Sequence, residues 1–286
     1  MNGIVIIDKP AGWTSQDVVS KLRGALHTKR IGHGGTLDPM ATGVLPVFVG
    51  RATRGVEFFE HAKKTYEAVL QLGITTDTED TSGTVLEEKE VSLTEADILA
   101  VLPRFRGEIM QIPPMYSALK VNGKKLYELA RSGKEVERQP RPITIYELEL
   151  LEFGGNTARL RVHCSKGTYI RTLCKDIGEA LGCGGCMAAL RRVQAGEYAI
   201  AEAVPLQTIV ESSDPGQYLR PVDSMFRNFP AVTLTEKQEQ RCRNGNSFTL
   251  GIADGTYRVY SQTGEFLALS MVDSGVMSTI KSFFEV

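Results

Sequence analysis

No stretch of this 286-residue chain is apolar for the roughly 18 residues that a membrane span requires. Charge of one sign is also missing: 33 basic residues stand against 34 acidic ones, a net of −1, so no global excess points to a polyanionic partner. The opening Met1-Asn2-Gly3 lacks the basic-then-apolar order of a secretory leader. Cysteine is sparse, with five residues at uneven spacing. Together these absences read as a cytoplasmic protein with free thiols, not a disulfide scaffold. Neither a glycine repeat nor low hydrophobic content is present, which excludes collagen-like and disordered chains. What remains is ordinary globular sequence, long enough for about two domains and a core that needs no cross-links.

The neutral average conceals local imbalance. Residues 77–97 hold eight acids and one lysine, whereas 120–141 hold seven basic residues and three acids. A charge run is ordinarily a solvated face. A basic arm against a phosphate backbone is the sharper alternative, and charge alone does not choose.

Element by element, Ile4–Ile7 is a β-branched run closed by Asp8-Lys9-Pro10 and reads as a buried strand. Ser15 is placed to cap a helix whose one face carries Val18, Val19 and Leu22. The glycine-dense stretch His27–Gly43 reads as a loop, Val44–Val49 and Thr65–Ile74 as strands. Ser92-Leu93-Thr94-Glu95 has the form of a capping box opening a helix that Pro103 ends. Leu126–Arg131 is a short helix, Ile143–Leu151 and Ala158–Cys164 are strands, and Thr168–Leu181 is a helix followed by Gly182. Strands and helices that do not strictly alternate predict an α+β fold with a mixed, mainly antiparallel sheet. A break near residue 226 divides a domain over 1–225 from a small β-rich unit over 226–286, where six basic residues balance six acids.

The richest stretch is Gly32-His33-Gly34-Gly35-Thr36-Leu37-Asp38-Pro39-Met40-Ala41-Thr42-Gly43. Pro39 pushes Asp38 into an extended conformation, so its carboxylate is presented from a loop. The glycines permit tight turns and close approach of a ligand. A carboxylate on an anchored loop suits a nucleophile or base. An Asp-Pro pair alone would merely start a turn.

The twelve-residue string resembles the signature of the TruB family of tRNA pseudouridine synthases. Further segments carry the same resemblance in order: Lys9-Pro10 with Gly12, Lys64-Thr65-Tyr66-Glu67-Ala68, Thr76 through Gly83, Ile112 through Lys120 followed by Gly123-Lys124-Lys125-Leu126-Tyr127, Ser165 through Arg171, and Leu190-Arg191-Arg192. Within the signature, Gly34 stands where threonine is frequent and Met40 where leucine is frequent.

The resemblance implies a pseudouridine-synthase catalytic domain with a small PUA-like β-barrel at its end. It implies detachment of a tRNA T-loop uridine at its N-glycosidic bond and reattachment through C5, with no metal and no organic cofactor. Asp38 matches the family's essential aspartate, Arg171 the arginine that pairs with it, and Tyr66 the tyrosine that stacks on the flipped base. His33 matches the residue that holds the T loop open, Leu190 one that packs near the base, and Lys9 and Asp80 motif positions that recognise the base or brace the site. Residues 112–141 match a thumb whose Lys120, Lys124 and Lys125 grip the T stem-loop. RNA would be read by shape, phosphates and 2′-hydroxyls, with the target base extruded from its stack. The partner implied is tRNA, through its T arm and acceptor stem, for a monomer without an obligate protein partner. A tRNA-folding chaperone binding the T arm is the alternative function. Lack of long basic extensions argues against a guide-RNA-dependent enzyme. Cys183-Gly184-Gly185-Cys186 has no second pair at zinc spacing and reads as incidental thiols.

Overall fold

The computed structural model describes residues 1–121 and 123–284. In chain order the larger part contains strands β1 (Gly3–Lys9), β2 (Ile31–His33), β3 (Thr42–Val49), β4 (Lys64–Leu72), β5 (Ile74–Thr76), β6 (Val85–Glu88) and β7 (Gly107–Gln111). It continues with β8 (Lys120–Val121), β9 (Lys124–Lys125), β10 (Arg141–Phe153), β11 (Thr157–Cys164), β12 (Gly185–Ala195), β13 (Tyr198–Ala199) and β14 (Val204–Pro205). Ten of these form one sheet along the path β14-β1-β3-β12-β4-β11-β10-β7, with β2 beside β3 and β13 beside β12. The pairs β1–β14 and β3–β12 are parallel and the others antiparallel, the mixed sheet the sequence predicts. The hairpins β5–β6 and β8–β9 stand apart from it.

Side-chain chemistry explains the layering. Strands β1 and β3 are buried on both faces, as their continuous apolar runs require. Strand β4 alternates, sending Tyr66, Ala68, Leu70 and Leu72 into the main core. The helix Ile170–Ala180 lays Ile170, Leu173, Cys174 and Ile177 on that same core. All five cysteines are free and buried.

Several boundaries differ from the sequence reading. The first helix, Ser15–Ala25, is capped by Thr14, which exchanges hydrogen bonds with Asp17. Such a box is worth about 1 kcal/mol. Ser15 is instead buried inside the first turn, its hydroxyl accepting from Leu37 N (2.9 Å). Thr94, not Ser92, caps Glu95–Val101, with Asp97 closing the box. Pro103 does not stop the chain but sits at the start of a 3₁₀ turn, Leu102–Phe105, where its missing N–H costs nothing. The segment read as one loop over 27–43 contains β2, which pairs with the far half of β3.

The C-terminal part forms strands β15 (Ala231–Thr233), β16 (Phe248–Thr249), β17 (Gly255–Tyr260), β18 (Phe266–Asp273) and β19 (Val276–Ser282), ordered β15-β17-β18-β19-β16. It encloses its own apolar cluster around Leu234, Val259, Leu267 and Met277. Phe226 packs with Leu269 and Phe283 where this part meets the rest, and Arg54 Nη1 donates to Ser282 O (2.9 Å) there. Among the described residues no helix is long and apolar enough to cross a membrane.

Candidate active site

The site lies where three loops converge on the sheet face that carries Tyr66. The first loop runs from β2 to β3 and presents Asp38. It is fixed from below at both sides of the aspartate. Ser15 holds Leu37 N, and Lys9 Nζ donates to Pro39 O at 3.2 Å. Lys9 is 0% exposed. Its other donors reach Pro10 O (2.9 Å) and Trp13 O (2.5 Å). With three carbonyls bound, the ammonium has no donor left for a substrate, so it sits as a brace under the loop. Burial pulls its pKa down to about 8, against the attraction of Asp38.

The second loop follows β5. Asp80 is buried and its Oδ1 accepts from Thr78 Oγ1 (2.8 Å), Ser82 N (3.0 Å) and Ser82 Oγ (2.5 Å). Glu79 takes a left-handed φ of 64°, and its carboxylate accepts from Thr172 Oγ1 at 2.6 Å. Met187 on β12 clips the loop to the sheet through Glu79 O and Thr81 N, each at 3.0 Å. The third loop, residues 112–119, enters the thumb.

Arg171 joins all three. From the first turn of its helix it places Nε 3.0 Å from Asp38 Oδ2 and Nη2 3.4 Å from Asp38 Oδ1. Nη1 donates to Thr78 O (3.1 Å) and Nη2 to Tyr116 O (2.8 Å). Asp80 Oδ2 lies 3.9 Å from Nε. Only a planar fork of donors spans these acceptors at once. The guanidinium side chain is 7% exposed, while that of Asp38 is 36% exposed, so the carboxylate faces outward from a buried cation. Burial pushes the Asp38 carboxyl above the usual range, and Asp80 adds to that push. Arg171 opposes it most strongly and Lys9 less so. The ion pair therefore offsets burial only in part.

Tyr66 and Leu190 share one sheet face. Tyr66 lies opposite Arg192 and Leu190 opposite Ala68 across the β4–β12 pair. Both are 8% exposed. Burial raises the Tyr66 phenol, and the adjoining Arg192 guanidinium lowers it. The Asp38 charge adds a small further push upward. His33 ends β2 opposite Val47, and its Nδ1 is buried without a hydrogen-bond partner. Burial and Arg192 both lower its pKa, so it is a neutral imidazole at pH 7.

The thumb lysines stand away from this cluster. Lys120 and Lys124 are exposed on the β8–β9 hairpin, and Lys125 Nζ donates to Tyr127 Oη at 3.2 Å. Asn122 between them lies outside the described residues.

Sequence reasoning singled out no role for Gln111, Lys64 or Arg192, and read Ser15 only as a helix cap. Gln111 is buried and brackets Tyr169, accepting from its N (2.8 Å) and donating to its O (3.1 Å). Arg192 is 1% exposed, donating Nε to Val44 O (2.7 Å) and Nη2 to Gly35 O (3.0 Å). Its dipeptide with Arg191 was visible as a motif, but only the register reveals that Arg192 faces Tyr66 while Arg191 pairs with Asp8. Among the described residues no group of three or more His, Cys, Asp or Glu is placed to hold a metal ion.

Comparison with known proteins gives a consistent result. Residues 23–170 match the model of the TruB family pseudouridylate synthase N-terminal domain. Residues 171–227 match that of the tRNA pseudouridylate synthase B C-terminal domain. The chain is 47% identical over 280 residues to tRNA pseudouridine synthase B of Pseudomonas fluorescens, covering 95% of this chain and 92% of that protein. It is 44% identical over 289 residues to tRNA pseudouridine synthase B of Clostridium kluyveri, covering 99% and 100%. Among solved structures, a Cbf5-Nop10-Gar1 complex contains a chain similar at TM-score 0.74 and 27% identity, over 99% of this chain and 85% of that one. An H/ACA RNP bound to a substrate RNA containing 2′-deoxyuridine gives TM-score 0.73 at 25% identity, over 99% and 85%.

Proposed function

The chain belongs to the TruB family of pseudouridylate synthases, and from that premise we propose that it isomerises the T-loop uridine of tRNA, uridine-55, with Asp38 as the catalytic carboxylate. The observation that carries this reading is the outward-facing Asp38 carboxylate held on a buried Arg171 fork, 3.0 Å away. In the overall change the N1–C1′ bond breaks, a C5–C1′ bond forms, and the C5 proton is lost as N1 gains one. Asp38 acts on the ribose or base of the extruded uridine. A carboxylate whose pKa burial has raised holds its proton more tightly, which favours a role in taking one up or attacking from a water-poor pocket. Tyr66 offers its ring to the base, and the phenol that burial keeps protonated offers a hydroxyl. Neutral His33 supports the opened loop, and Leu190 packs against the base. Lys9 braces the loop that carries Asp38, and Asp80 orders the loop whose Thr78 carbonyl holds Arg171. Lys120, Lys124 and Lys125 grip the T stem, and the C-terminal sheet, read as PUA-like, reaches the acceptor stem.

The test is conversion of uridine in a synthetic T stem-loop by purified protein without added metal or cofactor. Asp38→Asn abolishes turnover and leaves RNA binding nearly intact. Appreciable turnover by that variant refutes the assignment of Asp38. Equal tRNA folding by wild type and Asp38→Asn would assign any chaperone effect to binding alone.

A further inference from the structure

A second cationic site lies beside the Asp38 loop, separate from the thumb. Arg192 is buried, donating to the backbone carbonyls Val44 O and Gly35 O and lying against the Tyr66 phenol. Among the described residues no carboxylate lies within ion-pair distance of it or of Lys64. A buried charge without a counter-charge is costly. The two cations converge on Gly35, an exposed glycine at φ +95°. A Cβ there would lie 3.5 Å from Arg192 Nη1 and 3.8 Å from Lys64 Cε. The missing side chain thus leaves an open notch, floored by a guanidinium and flanked by the end of the Lys64 side chain.

We propose that Gly35, Lys64 and Arg192 form a phosphodiester cradle that holds the RNA backbone next to the extruded uridine. Lys64 makes the direct contact. Arg192 supplies positive potential from beneath, where low dielectric strengthens it. Gly35 lets the phosphate approach the backbone. The proposal rests on the tRNA-isomerase reading and adds a backbone site to it. Burial and Arg192 draw the Lys64 pKa down to about 8, and a docked phosphate would restore its full charge.

The experiment uses the full chain and synthetic T stem-loops, each with one uncharged methylphosphonate linkage placed near the target uridine on a 2′-O-methyl ribose. Binding is measured across a salt series for wild type, Lys64→Gln and Lys64→Arg. Losing one phosphate contact lowers the magnitude of the log–log salt slope by about 0.7–0.9. Losing a charge-assisted bond weakens binding about tenfold. Lys64→Gln shows both effects, and Lys64→Arg restores them. One linkage, when neutralised, weakens wild type about tenfold yet leaves Lys64→Gln unchanged. An unaltered slope in Lys64→Gln, or the same response to every neutral linkage in both proteins, overturns the cradle. Turnover of the unmodified stem-loop by wild type is scored separately. Its failure would sink the isomerase reading, while the cradle is judged on binding.

Discussion

Replacing Arg171 separates its charge from its shape. The guanidinium makes two contacts to Asp38, at 3.0 and 3.4 Å, and holds Thr78 O and Tyr116 O. Arg171→Ala removes the cation. Two unit charges about 4 Å apart interact by about 4 kcal/mol at an effective dielectric near 20. Asp38 is more than a third exposed, so solvent screening reduces this to about 1–2 kcal/mol. At about 1.4 kcal/mol per pH unit, the Asp38 pKa moves by about one unit. The direction follows from what remains. Arg171 favours the ionised form, while burial and Asp80 already disfavour it. Without the arginine the proton is held more tightly, and the acid limb of kcat/KM moves to higher pH. Arg171→Lys keeps the charge but not the fork, so the limb stays near its wild-type position. The rate falls instead, about tenfold for each carbonyl contact released. Single-turnover release of tritium from C5 of the uridine, followed over about pH 5 to 9, reads both effects. Titration of Asp38 by carbon NMR gives the same shift where turnover is too slow. An acid limb and an Asp38 titration unmoved in Arg171→Ala, or moved equally in Arg171→Lys, would refute the assigned role.

Two further outcomes follow from the supports of the loop. Lys9 has a folded pKa depressed from 10.5 to about 8, so the unfolded chain binds more protons between those values. Its contribution to stability therefore rises with pH across that window. In Lys9→Met this pH-dependent contribution is absent, and the stability gap between wild type and variant widens as pH is raised above about 8 in chemical denaturation. A gap independent of pH would show that the ammonium is not desolvated. Gly34→Thr drives a Cβ to 2.6 Å from Phe59 Cδ1 and 2.9 Å from Phe48 Cε2. Overpacking of that kind costs about 1–3 kcal/mol, read as a lowered melting temperature, and Gly34→Thr combined with Phe59→Leu regains part of it. Equal melting temperatures for Gly34→Thr and wild type would show that the aromatic pair yields freely.

The sequence made the site's chemistry legible where neighbours along the chain define it, and hid it where the sheet defines it. The helix expected over Thr168–Leu181 is present as Ile170–Ala180 because its apolar period is local. The Asp38 loop was legible because Pro39 and the glycines set its backbone within a dozen residues. Cap positions slipped by a residue or two: Asp17 favours Thr14 over Ser15, but Ser92 and Thr94 each have a carboxylate three residues on, Glu95 and Asp97, so the local pattern fits both. Strand β2 was hidden because three residues carry too little alternation to stand out from glycine. Arg192 shows the deeper limit. It reads as one of two adjacent arginines, yet strand alternation sends its neighbour to Asp8 and turns Arg192 inward against Tyr66 and Gly35. A one-residue slip of β12 would exchange the two, putting Arg191 beneath the loop and withdrawing the cation from Lys64. The bulges that flank this stretch, between Met187 and Ala189 and between Arg192 and Gln194, set that register. Positive charge beneath the Gly35 turn is thus specified by backbone irregularity on a strand far from it in sequence, which no local pattern reports.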